Sequence, residues 1–288
     1  MRSKNVRKRY PLHQSPLYQI RGKGQLEKVL DVEWDAIDKL LSPENYRVWV
    51  NKKGREIQKP LGWLNHVHVR IGKLFSRIEL PDYLYSQKGR SYVDNARRHV
   101  GTVPLIKTDI YKFYPSTTRQ MVYRLFTIDF QCAEDISHCL ADICCYQQKH
   151  LPTGSPLSGR VAFFAAKRMF DEIEVLAADA HCRMTALVDD VTVSGHGATK
   201  KLLGEIRRII SQHGLNTKQR KSKSFAATAA KTVTGAIIAG DELRLPNVRH
   251  RNIFETRRAL ENATCTEKEP ILRTLRGRLQ EAKQILPS

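Results

Sequence analysis

Two adjacent acids sit inside an apolar, β-branched stretch, Ala186-Leu187-Val188-Asp189-Asp190-Val191-Thr192-Val193. A run this apolar belongs in a core, and two ionised carboxylates cannot follow it there without a large desolvation cost. The stretch is therefore expected to form strand, turn and strand over Ala186–Ser194, with both aspartates at the tip. Turn chemistry alone would account for Asp-Asp at such a place. A third acid changes the reading: Asp109 ends a second apolar segment, Val103–Ile110, that reads as a buried strand. If the two strands are neighbours, Asp109 and Asp189 converge at one edge of a sheet. Converging carboxylates repel unless a divalent cation bridges them, and hard oxygen donors suit Mg²⁺. Two such ions about 3.5–4 Å apart clamp the attacking and leaving oxygens of a phosphoryl transfer.

The rest of the chain alternates helix and strand. Val67–Leu80 has apolar residues at helical spacing and meets Pro81. Arg160–Ala178 reads as one long helix after a Pro-Thr-Gly-Ser-Pro turn, and Thr199–His213 as an amphipathic helix stopped by Gly214. Thr232–Ile238 reads as a strand, with Glu242–Leu245 pairing to it across Gly240-Asp241, and the remainder as helix. Helices against an antiparallel sheet make an α+β fold.

Charge narrows the partner. The 288 residues carry 49 Lys and Arg against 29 Asp and Glu, a net charge of +20, which points to a polyanion. The excess concentrates in the first nine residues, in Lys200–Lys223 and beyond Pro246, and three such regions favour a groove that follows phosphates. The six cysteines lack framework spacing, and no signal peptide, membrane span, P-loop or G-x-G-x-x-G is found, so a cytoplasmic protein with reduced thiols is expected. His66 and His68 read as ordinary surface histidines and carry no weight.

Several segments together resemble the reverse transcriptases. Asp109-Ile110-Tyr111-Lys112-Phe113-Tyr114 is similar to their first catalytic motif, and Leu151-Pro152-Thr153-Gly154-Ser155-Pro156-Leu157-Ser158 to their template-and-nucleotide loop. Val188-Asp189-Asp190 matches the end of the Y-x-D-D box, and Arg55-Glu56-Ile57-Gln58-Lys59-Pro60 resembles the fingers motif. Order and spacing agree over roughly residues 50 to 250. Asn95-Ala96-Arg97-Arg98-His99 fits the N-A-x-x-H element of bacterial retron reverse transcriptases, and Val233-Thr234-Gly235 their V-T-G element. Leu187 stands where the box usually has Tyr, and Thr153 where the loop commonly has Gln.

The resemblance implies a right-hand polymerase fold: residues 1–100 as N-terminal extension and fingers, 101–245 as palm with a fingers insertion around 125–160, and 246–288 as a short helical, RNA-binding thumb. It implies Asp109, Asp189 and Asp190 as catalytic residues holding two Mg²⁺ ions, with the Ile110 carbonyl as a further ligand. Lys53 and Arg55 would grip the triphosphate, Tyr114 would exclude a ribose 2′-OH, and Gly154 would admit the template–nucleotide pair. Lys218 or Lys221 would protonate the leaving pyrophosphate, and the register after Gly214-Leu215-Asn216 leaves both open. Asn95, His99, Arg273, Arg276 and Arg278 would hold RNA. The implied activity is reverse transcription of a cognate structured non-coding RNA, both template and primer, into single-stranded DNA joined in a branched hybrid. dNTPs, an accessory effector protein and anti-phage defence complete the implication. The alternative is another bacterial reverse transcriptase, defence-associated or group II intron-like, with a different RNA or primer.

Overall fold

The computed structural model describes residues 9–286, so most of the basic N-terminal run lies outside the described residues. The chain divides into two compact units, one made of residues up to 81, 110–171 and 212–216, the other of 82–109, 172–211 and 217–288.

The first unit is mainly helical, with one antiparallel hairpin, β1 (Tyr46–Val50) and β2 (Glu56–Pro60). Helix Gly62–Phe75 buries Leu64, Val67, His68, Ile71 and Phe75, one face at helical spacing. It starts five residues before the expected Val67 and ends at Phe75, well short of Pro81. Beyond it Ile78 bridges to Tyr10. The core is aromatic: Phe75 meets Phe130 at 5.2 Å and Phe164 at 5.4 Å between ring centroids. The expected long helix 160–178 is two, Ser158–Ala165 and Lys167–Asp179, broken at Ala166, whose backbone (φ −104°, ψ 8°) is not helical.

The second unit holds two antiparallel sheets, as the α+β reading requires. β4 (Arg183–Leu187), β5 (Asp190–Ser194), β3 (Leu105–Asp109) and β6 (Lys223–Phe225) form one sheet in that order. β3 is an inner strand, and four of its five residues are buried, Lys107 being the partly exposed one. The second sheet is β7 (Lys231–Val233), β8 (Ala236–Ala239) and β9 (Glu242–Arg244). The expected single strand Thr232–Ile238 is thus a hairpin. Thr234 (φ 44°) and Gly235 (φ 94°) both lie in the left-handed region, the requirement of a tight two-residue turn. Helices Asn247–Glu261 and Cys265–Ile285 follow, and Ala282 and Ile285 pack into a core with Val93, Leu105, Val233 and Ile238. No described helix is long and apolar enough to cross a membrane.

Three carboxylates at a sheet edge as the candidate active site

Pairing of β3 with β5 sets Asp109 directly opposite Asp190. Partners in an antiparallel ladder have their Cβ atoms about 4.5–5.5 Å apart on one face, so the two carboxyl groups share one edge. The turn between β4 and β5 is Val188-Asp189, and Asp190 is already the first residue of β5. Only Asp189 is at the tip, therefore, and the acid facing Asp109 across the ladder is Asp190 rather than Asp189. Val188 holds φ 61°, an unfavourable conformation for a β-branched residue that costs of order 1–3 kcal/mol and makes this a strained turn.

Burial and neighbouring acids set the electrostatics. Asp109 is 6% exposed. The Asp190 carboxyl is pushed up to about 6, chiefly by burial and further by Asp109 and Asp189, with Lys107 opposing. Lys221 places its ammonium on the Asp109 carboxylate. Burial works against that charge, but the bond to Asp109 and the field of all three acids outweigh it and raise the Lys221 pKa. Lys218 has a different place: its main-chain N–H donates to the Asp109 carbonyl at 2.8 Å, while its side chain is exposed. The 3₁₀ turn Gln219–Lys221 carries Lys221, not Lys218, to the acids.

Lys107 was not singled out in the sequence. Its signal was its position two residues before Asp109, on the same strand face. Its Nζ donates to the Thr232 carbonyl at 2.6 Å, and burial lowers its pKa while Asp190 raises it.

Three carboxylates, hard oxygen donors at a partly desolvated edge, fit a divalent cation of the magnesium or calcium type. Among the described residues no three His, Cys, Asp or Glu side chains are already drawn together around a metal position.

The residues expected at the nucleotide belong to the first unit. Lys53 and Arg55 are exposed in the β1–β2 turn, where the Asn51 side chain accepts from both main-chain N–H groups at 2.9 and 3.1 Å. Tyr114 is half-buried in the short helix Phe113–Ser116, its ring 5.9 Å from that of Phe113. Gly154 (φ 134°) packs on β2, where a Cβ would stand 2.8 Å from Ile57 Cγ2. Contact with β2 is thus sufficient reason for this glycine. The same loop is tied to buried Gln58, which exchanges bonds of 2.8 and 3.0 Å with the Thr153 backbone. Ile110 is fully buried next to Asp109 in the chain. His68, read as a surface residue, is instead buried, bonded to Ser155 Oγ at 2.7 Å and the Ile143 carbonyl at 2.8 Å.

The two short motifs form an internal clasp. Asn95 and His99 are 1% and 0% exposed, which corrects their expected place at the RNA. His99 bridges Thr185 Oγ1 on β4 and Ser194 Oγ on β5, at 2.7 Å each. Asn95 Nδ2 donates to Thr234 Oγ1 at 3.4 Å, and Thr234 donates to the Tyr92 carbonyl at 2.8 Å. N-A-x-x-H and V-T-G are therefore two sides of one contact, with Arg249 filling the space that a Cβ on Gly235 would need. Arg273 and Arg276 are exposed, whereas Arg278 is half-buried and donates to Asn252 and Thr256, pinning helix Cys265–Ile285 to helix Asn247–Glu261.

No family model matches the chain. It is 26% identical over 214 residues to the retron Ec86 reverse transcriptase of Escherichia coli, covering 73% of this chain and 64% of that protein. The retron Se72 reverse transcriptase of Salmonella heidelberg is 26% identical over 220 residues, covering 71% and 57%, and the retron Ec48 reverse transcriptase of Escherichia coli is 28% identical over 170 residues, covering 58% and 41%. The chain thus spans less than two thirds of the length of these curated relatives. Within that span, it is related in sequence to the bacterial retron reverse transcriptases.

Proposed function

We propose that this chain is an RNA-directed DNA polymerase of retron type, copying a cognate structured non-coding RNA into single-stranded DNA attached as a branched RNA–DNA hybrid. The observation that carries the reading is the ladder pairing of Asp109 with Asp190, with Asp189 at the adjoining turn. The same reading divides the chain as a right hand, with fingers in residues 1–100, palm in 101–245 including a fingers insertion around 125–160, and a short thumb in 246–288. A dedicated RNA as template and primer, an accessory effector protein and a role in anti-phage defence come with it. Such an enzyme works in the cytoplasm, where its template is made.

Asp109, Asp189 and Asp190, with the main-chain carbonyl of Ile110, would hold two magnesium ions, whose chemistry when bound is to lower the charge on the attacking and leaving oxygens. The protein's own groups do the rest. Lys53 and Arg55 bind the triphosphate of a dNTP, as exposed cations whose backbone is fixed by Asn51. Lys221 holds a proton at Nζ beside the acids and is placed to give it to the leaving pyrophosphate. Tyr114 excludes the ribose 2′-OH by shape.

The reading is tested by sequencing the nucleic acid that co-purifies with the chain and by primer extension on an RNA template. A branched RNA–DNA hybrid is expected. Linear products alone indicate another class of reverse transcriptase, and no extension on RNA refutes polymerase activity.

Two further results are expected. Tyr114→Ala should lower discrimination against ribonucleotides by roughly ten- to a hundredfold in kcat/KM while deoxynucleotide incorporation persists, because a close-packed wall rejects an extra hydroxyl by a few kcal/mol. Equal loss with both sugars would make Tyr114 a packing residue. Arg273→Gln with Arg276→Gln should weaken RNA binding and flatten the slope of log affinity against log salt by about two contacts' worth. Arg278→Gln should instead lower the melting temperature, because it frees the two helices it joins. An unchanged salt slope in the double variant removes those arginines from the RNA interface.

A further inference from the structure

The second unit carries a cleft of about 260 Å³ at the start of β4, walled in part by Tyr83, Tyr85, Arg90, Arg98, Arg183 and Met184. β4 runs from Arg183 at this cleft to Leu187 beside the acidic turn. At the rise of an extended strand that separation is roughly 13 Å, so the cleft is a second place on the unit and not part of the carboxylate edge.

Its three arginines differ in what they are already doing. Arg90 is committed: it donates to the Asp82 carboxylate at 2.9 Å and to the Leu84 carbonyl at 3.2 Å, and lies 4.8 Å from the Tyr85 ring centroid. Arg98 and Arg183 are exposed, and among the described residues neither has an ion-pair partner. Arg183 Nη1 points to the Arg98 carbonyl at 3.4 Å, so the two residues stand side by side. Both also act on one buried neighbour: His99 is driven down to about 3, first by burial and then by Arg183 and Arg98. Both arginines line the cleft, and the forked donors of a guanidinium match phosphate oxygens.

The remaining wall is mixed: Tyr83, Tyr85 and Met184 stand beside Cys182 and two acids, Glu174 and the Asp82 that Arg90 pairs. The Tyr83 carbonyl accepts from Ala186 and the Tyr85 N–H donates to Ala186, both at 2.8 Å, so this segment is extended along β4. Residues two apart on an extended segment share a face, which brings both rings to the cleft. Aromatic surface stacks any nucleobase, and Met184 adds an adaptable apolar contact. The volume is just below the roughly 300–1,000 Å³ usual for ligand sites, which leaves room for one nucleotide unit at most and none for a stretch of chain.

We propose that this cleft binds one nucleoside monophosphate unit, its phosphate on Arg98 and Arg183 and its base against Tyr83, Tyr85 and Met184. The unit is either a free mononucleotide or one unpaired nucleotide of an RNA.

The test titrates the full chain by calorimetry with GMP, inorganic phosphate, an acidic peptide and a five-nucleotide RNA, and repeats each with Arg98→Gln/Arg183→Gln and with Tyr85→Ala. At least a tenfold loss of GMP affinity in both variants, with unchanged homopolymer extension and melting temperature, supports a free mononucleotide site. Absence of GMP binding with the same loss for the RNA supports an RNA-borne unit. Phosphate or acidic peptide bound as tightly as GMP and the RNA overturns the nucleotide assignment. So does any result in which neither GMP nor RNA affinity responds to the variants.

Discussion

Alanine at both Asp189 and Asp190 is expected to abolish DNA synthesis, a loss of roughly 10³-fold or more in primer extension, while RNA affinity is retained. The polymerisation loss follows from removing two of three oxygen ligands at the reacting edge, where single electrostatic groups already contribute factors of 10² to 10³. RNA affinity should persist because phosphate contacts come from the basic surfaces and not from these acids. Stability adds a second readout that separates lost chemistry from misfolding. Asp109 and Asp190 oppose each other as like charges in the ladder, so removing one relieves repulsion of up to about 1 kcal/mol. The inactive variant should therefore melt no lower than the parent. Retained polymerisation would sink the assignment of the acids, and a marked fall in melting temperature would make their role structural.

Acid should unfold this protein earlier than its surface charge alone implies, because each unit carries one histidine that its fold keeps neutral. His68 is lowered to about 4 by burial, against the pull of its bond to the Ile143 carbonyl. His99 is lowered to about 3, by burial and then by Arg183 and Arg98. Above pH 6.5 both residues are neutral in the folded and unfolded chain alike, and they make stability no function of pH. Below 6.5 the unfolded chain takes up protons that the native sites refuse, so stability falls as pH drops toward the folded values. Each site contributes a slope of up to about 1.4 kcal/mol per pH unit, or roughly 2–3 kcal/mol between pH 6.5 and 4.5. Urea midpoints measured across that window should fall steeply. His99→Gln should be less stable at pH 7, since the Thr185 and Ser194 hydroxyls lose their bridge, yet its stability should decline less with acid. Parallel curves for parent and variant would show that His99 does not titrate on unfolding.

The acids themselves were legible because an apolar strand that ends in aspartate has few structural uses. The charged tip of 186–194 and the acid closing 103–110 converge only if their strands are neighbours, and the pairing of β3 with β5 supplied that condition. The α+β alternation and the hairpin over Gly240-Asp241 were equally plain, since periodicity and turn residues act over a few neighbours in the chain.

What the sequence left open depended on distant partners. Register decided that Asp190 and not Asp189 faces Asp109, because a one-residue slip exchanges the two faces of a strand. A single 3₁₀ turn decided between Lys218 and Lys221, and Lys107 gained its place only when β5 and β6 closed on either side of it. Burial set the places of His68, Asn95 and His99, and bonding that of Arg278: a polar side chain reads the same whether it meets solvent, RNA, or a hydroxyl or carbonyl 22 to 139 residues away. The sequence by itself thus determined which elements exist and which acids end them, through local propensity and solvation. Tertiary structure alone decided which polar groups face each other, because that pairing is set by packing between segments far apart in the chain.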